Sequence, residues 1–167
     1  MTYNFAIVKC NLWGARNGKG STRSRCFQHV VIDLGKSRDA FPRARAYFNK
    51  REFDRAMLDL AEAIKLDPQN SIPRNLMGKN HFMLANYDIA LKFFGEAIKL
   101  DPNHYNAFVN RATTYYRMNK LPEAMKDVNA AYLMLPPGDS RGRGLLQLKV
   151  AIERAFASQQ NAAPASN

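Results

Sequence analysis

The chain has 167 residues, 25 Lys plus Arg, 14 Asp plus Glu, and a formal net charge of +11. Its 46% hydrophobic and 23% charged content is ordinary globular usage, which excludes global disorder and a low-complexity fibre. Two cysteines exclude a disulfide scaffold, and no apolar run approaches the roughly 18 residues of a membrane span.

Residues 1–36 differ in style from the rest, with six basic residues against one acidic. Tyr3, Phe5 and Ile7 alternate and Val30 to Ile32 is β-branched, so two short strands compete with a disordered basic extension. Between them, Trp13 to Arg25 reads as a Gly-, Arg- and Asn-rich loop. The apolar part, Phe5 to Val8, is too short for a secretory signal and is followed by Lys9. The acid-poor composition also suits organelle import, and a misassigned start of the coding sequence would give the same contrast. Gly14 to Thr22 contains Gly18, Lys19, Gly20 and Ser21, but a phosphate loop needs a glycine five before Gly18, where Trp13 stands. Cys26 and His29 have the spacing of one ligand pair, and zinc needs two. The basic loop, with Trp13 and Phe27 as stacking groups, is a better candidate for nucleic acid or another anion than the mixed charges of the rest of the chain.

A repeat organises the rest of the chain. Glu62-Ala63-Ile64-Lys65-Leu66-Asp67-Pro68 recurs unchanged at Glu96 to Pro102, an offset of 34. The same step links Ala56, Ala90 and Ala124, then Ala63, Ala97 and Ala131, and Pro68, Pro102 and Pro136. Three units result: 37–70, 71–104 and 105–138. Each predicts two helices. The first spans Asp39 to Lys50, Ile72 to Leu84, or Ala107 to Met118. The second spans Asp54 to Leu66, Asp88 to Leu100, or Pro122 to Leu135. Ile89, Phe93, Ala97 and Leu100 show the 3.6-residue period. Small residues at Ala44, Gly78 and Ala112, and at Ala56, Ala90 and Ala124, let the two axes approach closely. Tyr47, Leu60, Ile64, Met77, Phe94, Ile98, Tyr115, Val128 and Tyr132 are expected to fill around that contact.

These residues resemble the tetratricopeptide repeat. Ala44, Tyr47, Ala56, Leu60, Ala63 and Pro68 fall on its positions 8, 11, 20, 24, 27 and 32. Gly78, His81, Ala90, Phe94, Ala97 and Pro102 repeat the set, as do Ala112, Tyr115, Ala124, Val128, Ala131 and Pro136. Departures fall at position 4, with Ala40, Arg74 and Phe108, and at position 7, with Arg43, Met77 and Arg111. They are expected to loosen particular helix contacts. The resemblance implies an all-α, right-handed α-solenoid of three helix-turn-helix units. A helix over 139–157, built on Leu145, Leu148, Ile152 and Ala155 or Phe156, is expected to cap the array and solvate its end. Residues 158–167 read as a disordered tail.

The resemblance also implies a non-enzymatic adaptor whose first helices line a concave groove for a peptide or protein partner. By repeat position the candidate binding residues are Arg45, Asn75, Lys79, Asn106, Val109, Asn110 and Thr113. Phe48, Phe82 and Tyr116 divide evenly between groove and inter-repeat core. Arg45 and Lys79 share position 9 in adjacent units, so an acidic or carboxylate-bearing segment is the expected ligand. Asn75, one turn from Lys79, could pair a ligand backbone. The leading unit carries Phe41 and Arg45 in place of the Lys–Asn pair of the family's chaperone-tail clamp, so that clamp is not matched as a set. No nucleophile, base or metal constellation stands out, and no cofactor is expected. His81 is expected as a packed, hydrogen-bonded core histidine, and His104 as a loop residue without a partner. The alternative function is a nucleic-acid accessory protein acting through residues 1–36. The expected location is the cytoplasm.

Overall fold

The computed structural model describes residues 39–162. These residues form seven α-helices and no strand. They are α1 (Ala40–Asn49), α2 (Phe53–Leu66), α3 (Ser71–Met83), α4 (Tyr87–Leu100), α5 (Tyr105–Arg117), α6 (Leu121–Leu133) and α7 (Arg141–Ala162). The readings placed within residues 1–38, including the Gly14 to Thr22 loop and the Cys26–His29 pair, lie outside the described residues. No helix among those described is long and apolar enough to cross a membrane.

The duplicated heptad folds the same way twice. Proline clashes with a helical residue before it and drives that residue to extended backbone. Asp67 and Asp101 accordingly end α2 and α4 at φ −130°, ψ 84° and φ −135°, ψ 95°. The chain then re-enters a helix, and the Asn70 carboxamide caps α3 by accepting from the Ile72 N–H at 3.0 Å. Within each unit the turn depends on one left-handed residue: Arg51, Ala85 and Asn119, at φ 62°, 60° and 60°. They stand 34 residues apart and none is glycine.

Each helix packs on its chain neighbours, and the first helices also touch one another, α1 on α3, α3 on α5 and α5 on α7. The described residues therefore form an all-α solenoid with their first helices in one row. The small residues do what the repeat requires: Ala44, Ala56, Ala90, Ala112 and Ala124 are fully buried. One core cluster joins Ala44, Leu60, Leu76 and Met77. Another joins Ala112, Leu121, Ala124, Val128 and Ala131 to Leu145 and Ile152 of α7.

Several expectations are corrected. The position-7 arginines do not loosen the array. Arg43 forks onto Asp59 at 2.6 and 2.7 Å, and Arg111 onto Asp127 at 2.7 and 2.8 Å. Tyr132 is 59% exposed, not core. Its equivalents Ile64 and Ile98 are partly covered, whereas α7 leaves Tyr132 bare. The capping helix runs on to Ala162, past the expected end at 157. Gln and Ala are good helix formers, and Gln159 is tied by its Nε2 to the Asn119 carboxamide oxygen at 2.8 Å.

Candidate functional site

The candidate residues stand on α1, α3 and α5. Arg45, on α1, is exposed, and among the described residues it makes no ion pair. Lys79, on α3, is half-buried and likewise has no carboxylate partner among them. Its ammonium instead sits 4.9 Å from the centre of the Phe48 ring of α1. An ammonium over an aromatic face is attracted by the ring quadrupole while keeping its other face free. Phe48 thus belongs to both environments between which the sequence left it. It supports Lys79 on one side, and it packs against the core with its ring edge-on to Phe53 at 5.8 Å. Phe82 leans on Tyr87 at 5.6 Å, and Tyr116 packs against the core shared with α7.

Asn75 and Asn110 come together across α3 and α5. The Asn110 Nδ2 donates to Asn75 Oδ1 at 2.9 Å. That bond changes what each can offer. Asn75 is only 8% exposed and its carbonyl oxygen is engaged by Asn110. Asn110 is half-exposed and presents its own carbonyl. Direct pairing of a ligand backbone by Asn75, expected from the sequence, is disfavoured by this burial. Val109 is half-buried against the core shared with α7. The Thr113 hydroxyl donates to the Val109 carbonyl at 2.8 Å, one turn back on its own helix. Asn106 is exposed at the start of α5.

Other arginines of the array are engaged with carboxylates. Arg74 lies 3.7 Å from Glu96, and Arg141 is 2.7 Å from Asp139. The Arg141 side chain and backbone N–H hold the Asp139 carboxyl down to about 2. The Arg111 and Arg43 guanidiniums are pushed above their ordinary value first by the bonds to their aspartates.

The histidines and one asparagine depart from the sequence reading. His81 is packed as expected, stacked on Phe93 at 5.5 Å and 4°. Its Nδ1, however, is buried without a hydrogen-bond partner among the described residues. Burial holds the ring below its ordinary value. His104 does have partners: its Nδ1 is 3.1 Å from the Ser71 hydroxyl and 3.4 Å from Asp101. Asn80 escapes the sequence reading altogether. It is fully buried, and neither atom of its carboxamide finds a partner among the described residues. The clue lies in the repeat register, because Asn80 occupies the place held by Ala46 and Thr114 in the other units. Among the described residues no three His, Cys, Asp or Glu side chains cluster as a metal site.

Comparison with known proteins bears on this geometry at two levels. Family models described as tetratricopeptide repeat match residues 43–70, 74–104 and 93–126. No curated protein matches the chain. Among solved structures, the TPR2B domain of yeast Sti1, in its pHsp70 complex, has a TM-score of 0.67 at 22% identity, covering 71% of this chain and 97% of its own. The second TPR domain of human RPAP3, in complex with the HSP70 peptide SGPTIEEVD, has a TM-score of 0.63 at 22% identity, covering 72% and 97%. The Yersinia enterocolitica type III secretion chaperone SycD, with a peptide of the translocator YopD, has a TM-score of 0.67 at 13% identity, covering 73% and 93%. At these identities the likeness is one of fold. The period of 34, the small residues sealed between paired helices and the family-model matches over 43–126 agree, and the chain belongs to the tetratricopeptide repeat family.

Proposed function

We propose that this protein is a non-enzymatic adaptor that holds an acidic or carboxylate-bearing segment of a partner protein on the face formed by α1, α3 and α5. The observation that carries the reading is the state of the cations there. On α1, α3 and α5, Arg43, Arg74 and Arg111 face carboxylates, whereas Arg45, Lys79 and the exposed Arg117 have none among the described residues, and of these Arg45 and Lys79 share one repeat position in adjacent units. Two unneutralised cations in adjacent units favour an anion between them, and charge-assisted hydrogen bonds are the strong ones. Phe48 beneath Lys79 gives the ligand's neighbouring side chain an apolar surface. Asn110, oriented by Asn75, supplies a carbonyl for a ligand backbone N–H. Asn106, Val109 and Thr113 extend the same face along α5. Three solved relatives in fold hold peptides or a chaperone segment, and the one bound to RPAP3 ends in acidic residues.

The test is isothermal titration of the full chain with SGPTIEEVD and with a version in which its acidic residues are replaced by Gln and its C-terminus is amidated. Expected are binding to the acidic peptide that weakens as salt rises, loss of binding to the neutral version, and at least a tenfold loss in the Arg45→Ala, Lys79→Ala double variant, about 1.4 kcal/mol. An unchanged affinity and salt dependence in that variant would sink the assignment of this face.

A further inference from the structure

The geometry points to a second copy of this chain as the occupant of the outer face of α7, packed antiparallel on the same face of its own α7. The inference is independent of the groove.

The starting point is a mismatch in the repeat register. Leu146 follows Ala112 by 34 residues and so stands where Ala44, Gly78 and Ala112 meet the second helix of their own unit. Among the described residues no second helix packs there. Glu153 falls where Arg51, Ala85 and Asn119 turn the chain with positive φ, yet α7 runs straight through it. The surface that a second helix would cover is therefore left open. Leu146 is 54% exposed, and Tyr132 beside it is 59% exposed. Together with Leu135, Pro136 and Gly142 they line an open cleft of about 490 Å³. Val150, one turn on from Leu146, is half-exposed and lines the adjoining hollow with Leu146 and Arg154.

The sequence of this face identifies its occupant. Arg143, Leu146, Val150 and Glu153 recur at spacings of three, four and three, the seam of a helix pair. The order is cation, apolar, apolar, anion, and it reads the same backwards with the charges exchanged. An antiparallel pairing about a two-fold axis at Leu148 sets each residue against the one equally far on the other side. Arg143 then meets the partner's Glu153, and Leu146 meets the partner's Val150, each contact occurring twice. The other cations find no like charge: Lys149 faces Gln147, Arg154 faces Gly142, and Arg141 faces Ala155. A parallel pairing would set Arg143 on Arg143 and Glu153 on Glu153. Neither residue has an ion pair of its own among the described residues. A self-complementary patch of this kind is what a two-fold dimer requires. One helix face per copy is small for an interface, so the dimer is expected to be reversible rather than obligate.

Sedimentation equilibrium of the full chain between about 1 and 200 µM tests this. Expected is a monomer–dimer equilibrium that Leu146→Lys weakens at least tenfold. Arg143→Glu and Glu153→Arg should each weaken it about tenfold, and the two together should restore it to within about threefold of the parent. All four are changes at exposed side chains, and circular dichroism checks that each variant stays helical; Val150→Lys substitutes if Leu146→Lys does not. A chain that is monomeric throughout, a dimer indifferent to Leu146→Lys, or a charge exchange that fails to rescue overturns the proposal.

Discussion

At position 7 of the repeat the outer units place Arg43 and Arg111, whereas the middle unit places Met77. Sixteen residues later, on the second helix, the outer units place Asp59 and Asp127 and the middle one Phe93. Each outer arginine forks onto its aspartate, while Phe93 packs against the cluster that holds Met77. Position 8 behaves in the same way. Ala44 and Ala112 share clusters with Leu60 and Val128, but Gly78 stands under the larger Phe94. The period fixes where two helices touch, and the chemistry of the touch is free to change if both partners change together.

The largest expected effect comes from unpairing one outer contact. Arg111→Ala leaves the Asp127 carboxylate, whose side chain is 4% exposed, without its partner, at about 3 kcal/mol. Arg43→Ala removes a similar fork from a more open site, where the Arg43 side chain is 42% exposed, and should cost less than about 1 kcal/mol. Combining Arg111→Met with Asp127→Phe, the pair of the middle unit, should recover most of the loss. Urea unfolding of these variants measures this, and equal losses for the two single alanines would break the distinction drawn from burial.

The next effect is steric. A Cβ on Gly78 would stand 2.6 Å from the Phe94 ring. Gly78→Ala should therefore destabilise by about 2 kcal/mol even though Ala is the residue of the outer units and the better helix former. Phe94→Leu in the same chain, copying Leu60, should make the two changes less costly together than their sum, a coupling that thermal melts of the double-mutant cycle read directly. Strict additivity would show that position 8 does not sense its partner.

A smaller effect separates the turns. Ala85 holds φ 60° without the glycine that region favours, and Asn119 holds the same φ with a side chain that tolerates it. Ala85→Gly should stabilise by about 1 kcal/mol, whereas Asn119→Gly, which also gives up the bond to Gln159, should not stabilise. Chemical denaturation that ranks the two the other way would refute the argument from backbone strain.

The units, their paired helices and the sealed alanines are legible in the sequence because the duplicated heptad and the small residues each report a local requirement. The candidate face is legible only as a set of repeat positions. That Lys79 rests on Phe48 and that the Asn75 carbonyl oxygen accepts from Asn110 are contacts between units, separated by 31 and 35 residues, and no local pattern encodes them. The Arg–Asp forks are legible in part: position 7 stands out as a departure, but its partner lies sixteen residues on, at a position the repeat pattern does not mark. The outer face of α7 is hidden for a different reason. The helical spacing of Leu145, Leu148 and Ile152 reports the core face of the same helix, and Leu146 gains meaning only from its place at position 8 of a fourth repeat step.

The last prediction sharpens the comparison at position 11, where Tyr47 and Tyr115 flank His81. The His81 ring is stacked on Phe93 with its Nδ1 buried and unpartnered among the described residues, so its neutral form fits and its charged form does not. Burial accordingly lowers its proton affinity in the folded chain. An unfolded histidine takes up a proton near pH 6.5. Below that pH the unfolded chain binds a proton that the folded one refuses until its own, lower, value is reached. Stability contributed by this site is thus fully present above about pH 6.5 and falls as the pH drops toward the folded value. The outer tyrosine positions contain no imidazole to add to this slope. His81→Phe keeps a ring on Phe93 and removes the titration. Denaturation midpoints between about pH 7.5 and 5.5 should decline more steeply in the parent than in His81→Phe, because all other titrating groups are common to both. Parallel pH profiles would mean that His81 accepts its proton in the folded state, and that its nitrogen has a partner after all.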